Sequence, residues 1–220
     1  MKNLPVFVCL LAAHLSMLAV TRADAEERPG FYVTAALGVS DHGIENEGLN
    51  PNDETFADDR GNAFRLLAGY EFNEYVSLEA GYADLGENRW GFVSSFPGFQ
   101  QFVTHSETLD GYTMALRVRY PFADRFFVSG RLGAFAWSSE HDVRIVDIRF
   151  PEGLPVQSSR QTFTRFSDTE LTLGLGVGFR VTDAFEVSLD YETLGDAGFP
   201  DCCEEDFDKG TLTLGLSYRP

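Results

Sequence analysis

Histidine, serine and carboxylate side chains occur together at two places in this chain. Residues 105–107 read His-Ser-Glu and residues 139–142 read Ser-Glu-His-Asp, which are the residue types of a nucleophile activated by a histidine base. Neighbouring residues of an extended chain point to opposite sides, so neither stretch can align these groups by itself. We therefore expect no catalytic site. A lipid-modifying enzyme is kept as an alternative hypothesis.

The adjacent residues Cys202 and Cys203 are the candidate metal ligands. They lie in the run Asp-Cys-Cys-Glu-Glu-Asp at 201–206, and thiolates and carboxylates can bind soft or borderline metals. Adjacent side chains do not easily converge on one ion, and no histidine lies nearby. We expect an acidic, solvated loop that holds two thiols or a vicinal disulfide, and we expect no metal or other cofactor.

Charged residues of both signs recur at alternate positions within eight segments whose other positions are uncharged. Because buried charges are costly unless they are paired, this pattern predicts a salt-bridge network inside the folded protein. The network would close the central lumen that the segments surround. A narrow polar pore is the alternative. The predicted network contains five arginines and six acids, namely Arg65, Glu71, Glu79, Arg117, Arg119, Arg131, Glu170, Arg180, Glu186, Asp190 and Glu192.

The segments that must position these charges alternate between apolar and polar residues, and each is about as long as the 9–11 residues of a tilted membrane strand. Aromatic residues cluster at both ends of the apolar faces, as in two interfacial girdles. The sequence therefore predicts an all-β fold, an eight-stranded antiparallel up-and-down transmembrane β-barrel, with a soluble β-sandwich as the alternative. The segments are Phe31–Ser40, Asn62–Phe72, Val76–Gly86, Leu109–Phe122, Phe126–Trp137, Thr169–Val181, Phe185–Leu194 and Gly210–Arg219.

The connections between the segments alternate in length. Short turns are predicted at 73–75, 123–125 and 182–184, on the periplasmic side. Long outer loops are predicted at 41–61, 87–108, 138–168 and 195–209.

The N-terminus has the composition of a secretory signal peptide. Lys2 precedes an apolar stretch at 4–20, and Ala23-Asp24-Ala25 supplies a small-x-small cleavage site. We expect a signal peptide at 1–25 and one barrel domain at 26–220. The formal net charge of −17 argues against nucleic acid as a partner, because anionic phosphates would be repelled.

The second outer loop is rich in aromatic residues for a segment exposed to water. Such apolar patches often mark binding surfaces, although these rings could instead pack on the third loop. The pattern of the third loop suggests that its two flanking strands continue beyond the membrane as a hairpin that turns near 151–155. The candidate contact surface consists of Trp90, Phe92, Phe96, Phe99 and Phe102.

Several strand segments together resemble the OmpA-like eight-stranded outer-membrane barrel family. They read FYVTAALGVS, LAGYEFNEYVSLEAGYADLG, ALRVRYPFADRFFVSGRLGAFAW, LGVGFRVTDAFEVSLDYETLG and LTLGLSYRP. The likeness covers the strands but not the long loops. Larger members carry a peptidoglycan-binding domain, whereas this chain ends at the eighth segment, so we expect no direct attachment to the cell wall.

The resemblance also implies roles for single residues. The family's interior ion pairs correspond to Glu79, Arg117 and Arg131, whereas Ser188 and Gly178 stand where the family has an arginine and an acid. The C-terminal segment is similar to the signal read by the outer-membrane assembly machinery, except that it ends in Pro220 instead of an aromatic residue.

The function expected from these observations is that of a non-enzymatic outer-membrane barrel with a structural role in the envelope or an adhesion-type role through its outer loops. A narrow pore for transport is the first alternative. The expected partners are outer-membrane lipid and lipopolysaccharide, the assembly machinery and a possible surface partner, and the expected state is a monomer.

Overall fold

The structure is a computed structural model that describes residues 29–41, 54–58, 60–150, 154–195, 197 and 209–220. The expected signal peptide, His42 and the run at 201–206 lie outside the described residues. The described residues form nine strands: β1 (Gly30–Asp41), β2 (Glu54–Asp58), β3 (Arg60–Glu71), β4 (Val76–Phe96), β5 (Phe99–Pro121), β6 (Phe126–Arg149), β7 (Val156–Arg180), β8 (Phe185–Thr193) and β9 (Gly210–Tyr218).

Eight of these strands close into a ring in which every neighbouring pair is antiparallel. The order is β1-β3-β4-β5-β6-β7-β8-β9, and β9 pairs with β1 to complete the circle. The predicted all-β, eight-stranded up-and-down barrel is therefore confirmed. The short strand β2 lies outside the ring and pairs with the upper part of β4.

Local side-chain hydrogen bonds fix the short turns at the lower end of the barrel, which is the end predicted to face the periplasm. Asn73 Oδ1 accepts hydrogen bonds from the backbone N–H groups of Tyr75 and Val76, at 2.8 and 2.9 Å. Thr182 Oγ1 plays the same part in the turn between β7 and β8. Asn and Thr favour turns because their side chains can replace a backbone partner in this way.

The two central outer connections are strands and not loops, so the predicted loop boundaries at 87–108 and 138–168 are wrong. In the first connection, the register shifts between Asp84 and Glu87, where Gly86 has a φ of +76°. This β-bulge moves the inward-facing residues of β4 from odd to even positions, and the period-2 pattern of the sequence is therefore interrupted at Gly86. In the second connection, both faces of β7 are exposed from 156 to 165, which removes the alternation.

The hairpin predicted for the third loop is confirmed, because β6 and β7 stay paired from Phe126↔Phe179 up to Arg149↔Val156. The β4–β5 hairpin reaches equally far, with its last pair at Phe96↔Phe99. Together with β2, the upper halves of these four strands form a five-stranded sheet that extends beyond the barrel. We call it the protruding sheet.

The outward face of the barrel is an apolar belt. Burial alternates along each strand, and large apolar side chains such as Phe31, Leu37 and Leu175 are well exposed. Aromatic rings pair across neighbouring strands at the lower end, as in Phe126–Phe179 and Phe185–Tyr218, and Tyr82 and Tyr112 pair nearer the upper end. No helix among the described residues is long and apolar enough to span a membrane.

The inward face has two layers. The upper layer is apolar and consists of Ala83, Leu85, Leu109, Phe135, Trp137, Leu194 and Ala197, with Phe166 packed against it. The lower layer contains buried arginines and acids. The sequence pattern led us to expect a charged interior, and the apolar layer was not anticipated.

Candidate functional site

The centre of the charged layer is Glu79 on β4. Its Oε1 accepts a hydrogen bond from Tyr32 at 2.6 Å and lies 3.3 Å from Arg117 Nη1. Its Oε2 lies 2.8 Å from Arg131 Nε. Adjacent strands β4, β5 and β6 supply the acid and the two arginines, so the strand order brings together three residues that are distant in sequence.

Arg131 also joins Glu79 to a second acid, Glu192 on β8. Glu192 Oε2 lies 3.3 Å from Arg131 Nη1 and 2.6 Å from Arg65 Nη1. Arg65 lies on β3, across the lumen from β8, so this chain of charges spans the barrel. All of these side chains are almost completely buried.

A second group of charges lies around Arg119. Its guanidinium is 3.3 Å from Glu71 and 3.1 Å from Glu186. Arg180 Nε lies 3.3 Å from Glu186, and Arg219 Nη2 lies 2.5 Å from Glu71. Arg219 was not among the predicted interior residues. It is the last residue of the eighth predicted segment and follows strand β9 directly, and its odd position has the inward parity that could have identified it.

The two remaining predicted residues occupy different levels. Asp190 is buried and accepts a hydrogen bond from Ser188 Oγ at 2.6 Å. Glu170 is half-buried and lies opposite Phe135 in the register of β6 and β7, level with the apolar layer. Ser188, at the position where the resemblance implies an arginine, therefore contacts an acid on its own strand.

Phe127 explains why Gly178 replaces the acid that the resemblance implies. The Arg119 and Arg117 guanidiniums lie over the Phe127 ring, at 4.4 and 5.5 Å from its centroid. A Cβ added at Gly178 would come within 2.0 Å of Phe127 Cζ. The aromatic ring fills the space of a larger side chain at 178 and contacts the arginines through its π face. Phe127 was not among the predicted interior residues, although the alternation along β6 places its side chain on the inward face.

A separate cluster lies on the protruding sheet, above the barrel. His105 Nδ1 and His141 Nε2 are 3.3 Å apart and form an N–H···N hydrogen bond. The Trp90 ring is nearly parallel to both imidazoles, with centroids at 5.1 and 5.5 Å. Burial, and then the neighbouring His141, lowers the pKa of His105 below its usual value.

Glu107 lies next to this cluster on the same face. It is directly opposite His141 in the register, accepts a hydrogen bond from Ser139 at 2.7 Å and lies 3.6 Å from Lys209 Nζ. Hydroxyl, imidazole and carboxylate groups thus meet here, but the histidines stack on Trp90 and the carboxylate is bonded to Ser139 and Lys209.

The predicted aromatic contact surface is divided between the two faces of the protruding sheet. Phe96 and Phe99 are opposite each other at the tip and share a face with Trp90 and Phe92, whereas Phe102 lies on the other face, opposite Val93 and Val146. Only Phe96 is strongly exposed, and the other four rings are half-buried.

One edge of the protruding sheet is open. Strand β7 pairs with β8 only from Leu173 downwards, and among the described residues its upper part, Val156–Arg165, pairs with β6 alone. The side chains from 156 to 165 are exposed on both faces.

A closed barrel with an apolar outer belt and an ion-paired interior defines a transmembrane β-barrel of the Gram-negative outer membrane. The chain belongs to the outer membrane protein β-barrel domain family, whose family model matches residues 10–219. The predicted OmpA-like resemblance and the outer-membrane location are both confirmed.

Relatives agree with this assignment. Outer membrane protein A of Serratia marcescens is 26% identical over 219 residues, which are 95% of this chain and 54% of the relative. The Shigella flexneri protein of the same name is 24% identical over 211 residues. The chain thus spans about half the length of these relatives. The crystal structure of Ail from Yersinia pestis, in complex with the heparin analogue sucrose octasulfate, matches with 16% identity and a TM-score of 0.42, covering 87% of this chain and 99% of Ail.

Proposed function

We propose that this protein is a non-enzymatic, closed barrel that anchors a protruding β-sheet outside the cell for surface interaction. The observation that carries the proposal is the open edge of β7 at Val156–Arg165, where the strand pairs with β6 alone and its side chains are exposed on both faces. An exposed edge strand presents unpaired backbone N–H and C=O groups, which an extended segment of another protein can pair with. The barrel then serves as the rigid support for this edge.

The interior favours a closed support over a narrow pore. The predicted network would close the lower lumen through paired charges, and the apolar layer around Phe135 and Trp137 would close the upper lumen. An eight-stranded barrel has room in its interior for side chains and little else. For this reason we expect no steady ion conduction.

The catalytic alternative has less support. His105 and His141 are stacked on Trp90 above the barrel, and not at the membrane-facing belt where a lipid substrate would lie. His42 lies outside the described residues. We therefore prefer an envelope or adhesion-type role over lipid modification.

The remaining assignments are also proposals. Residues 1–25 would be a signal peptide that is removed, and 26–220 would be the mature barrel domain. The apolar belt would contact outer-membrane lipid and lipopolysaccharide, and strand β9 would be read by the assembly machinery. Because one chain closes its own ring, we propose a monomer.

The open edge can be removed without touching the barrel. Glu140 and Arg165 are directly opposite each other, so a two-residue Asn-Gly turn in place of residues 141–164 should close a shorter hairpin. Cells carrying this variant should lose adhesion to a panel of immobilised extracellular proteins. The matched control replaces residues 91–104 between the opposite pair Trp90 and His105, which leaves the β7 edge in place and should retain adhesion.

Two outcomes would count against the proposal. The first is equal adhesion by the parent and the variant that lacks residues 141–164, with equal amounts of both in the outer membrane. The second is a steady open channel when the refolded parent barrel is placed in a planar bilayer, which would favour the narrow pore.

A further inference from the structure

Two histidines from neighbouring strands of the protruding sheet face each other through ring nitrogens. His105 lies on β5 and His141 on β6, and they are diagonal in the register because His141 is opposite Glu107, two residues from His105. His105 Nδ1 and His141 Nε2 are 3.3 Å apart. No part of the proposed scaffold or adhesion role uses this pair.

The separation of the two nitrogens suits a shared metal ion. Imidazole nitrogens bind Zn²⁺ at about 2.0–2.1 Å, so two such ligands with a tetrahedral angle between them are about 3.3 Å apart. An ion at that distance from both nitrogens would lie about 1.2 Å off the line between them.

Aromatic packing and burial hold the two rings in place. Trp90 stacks against both imidazoles, His141 is only 6% exposed, and His105 is partly exposed and gives access from solvent. The Glu107 carboxylate lies on the same face, opposite His141. Partners that fix ligand orientation commonly strengthen metal binding.

A further polar group points to a ligand here. Asn88 lies on the same face, directly opposite Glu107 in the register. Its side chain is 1% exposed, and neither its Oδ1 nor its Nδ2 has a hydrogen-bond partner. A buried amide without a partner is costly, and water on a bound ion would provide one.

We propose that His105 and His141 form a two-histidine site for a divalent transition-metal ion, with Cu²⁺ bound most tightly. Imidazole is a preferred ligand of Cu²⁺, Ni²⁺ and Zn²⁺, and Cu²⁺ has the highest affinity of the first-row divalent ions. No group of three His, Cys, Asp or Glu side chains suited to a metal occurs in the described part of the chain. The protein therefore supplies two nitrogens, and water completes the coordination.

The ion would cross-link strands β5 and β6. A ligand that binds only the folded hairpins stabilises them in proportion to its concentration and affinity. The high negative charge of the chain, −17, would raise the local concentration of cations.

The test is titration of the refolded barrel in detergent micelles with CuCl₂ at pH 7.5, followed by calorimetry. The parent for this experiment carries Cys202→Ser and Cys203→Ser, because thiols would themselves bind Cu²⁺. We expect one Cu²⁺ per barrel, with nitrogen hyperfine coupling in its electron paramagnetic resonance spectrum. His105→Gln or His141→Gln should weaken binding by at least about tenfold. Binding should also weaken at pH 5.5, because both ligands must be deprotonated.

His42→Gln is the matched control, because it removes a histidine that is not part of the pair. Its affinity for Cu²⁺ should equal that of the parent. Gel shifts between boiled and unboiled samples would verify that each variant is a folded barrel. The proposal is overturned if the parent binds no stoichiometric Cu²⁺, or if His105→Gln and His141→Gln bind as tightly as the parent.

Discussion

Arginine–glutamate pairs occur in two regions of this molecule, inside the barrel and on the protruding sheet, and burial separates them. In the barrel, the side chains of Arg117 and Glu79 are each 2% exposed. On the protruding sheet, Arg165 and Glu140 pair with side chains that are 69% and 58% exposed. The residue types are the same, but only the pair on the protruding sheet is exposed to solvent.

This difference assigns different roles to similar contacts. A buried charge that loses its partner cannot be solvated, so each member of the interior network depends on the others. An exposed pair is solvated on both sides and contributes little. We therefore expect the interior network to restrain the register of the barrel strands, and we expect the protruding sheet to tolerate changes in its charged residues.

The largest effect is expected from Glu79→Ala. This change leaves Arg117 without its acid and leaves Arg131 with Glu192 alone. The free energy of unfolding should fall by about 3–5 kcal/mol, as for other broken buried pairs. Urea unfolding of the barrel in lipid vesicles, followed by tryptophan fluorescence, measures the loss.

Glu140→Ala is the matched control on the protruding sheet. Because the pair with Arg165 is exposed, the change should cost no more than about 1 kcal/mol. Equal losses in the two variants would mean that burial does not distinguish the two regions.

An intermediate effect is expected from Gly178→Ala. The added Cβ would meet the Phe127 ring at 2.0 Å, and displacement of that ring would also disturb the Arg119 guanidinium above it. Overpacking of this kind typically costs about 1–3 kcal/mol. The same unfolding measurement applies.

Two further variants test the cause of this loss. At Gly130, an added Cβ would meet nothing within 4 Å, so Gly130→Ala should change stability little. The smaller side chain of Phe127→Leu should recover part of the loss in the Gly178→Ala background. If Gly130→Ala proves as costly as Gly178→Ala, the loss is a general effect of removing glycine from the strands.

The sequence predicts the barrel well because each of its strands separates an apolar face from a polar one. It predicts the hairpins less well, because the bulge before Glu87 places Trp90 and Phe92 on the opposite face of β4 from the one that the alternation predicts. It identified the interior charges but not their pairings, which depend on strands that meet across the lumen. The histidine pair depends on the β5–β6 register, and the stacking of Trp90 on it depends on the shifted register of β4, and no single stretch of sequence contains that information.

The smallest expected effect is a local opening of the protruding sheet that depends on pH through the histidine pair. The barrel should show no such dependence. The pKa of His105 in the closed hairpin lies below its usual value of 6.5, because of burial and of His141. As the pH falls through 6.5, an opened hairpin takes up a proton before the closed one does, so acid favours opening. Above that pH, His105 is neutral in both the closed and the opened hairpin, and its protonation no longer affects the opening.

Amide hydrogen exchange can detect this local opening. Without added metal, and after correction for the intrinsic dependence on pH, amides in the upper halves of β5 and β6 should exchange faster at pH 5 than at pH 7.5. Amides of the barrel strands should not. Glu107 and Lys209 also face the cluster, so the His105→Gln variant must be compared with the parent at both pH values. If the acid-induced increase persists unchanged in that variant, these other groups are responsible and the role of His105 is refuted.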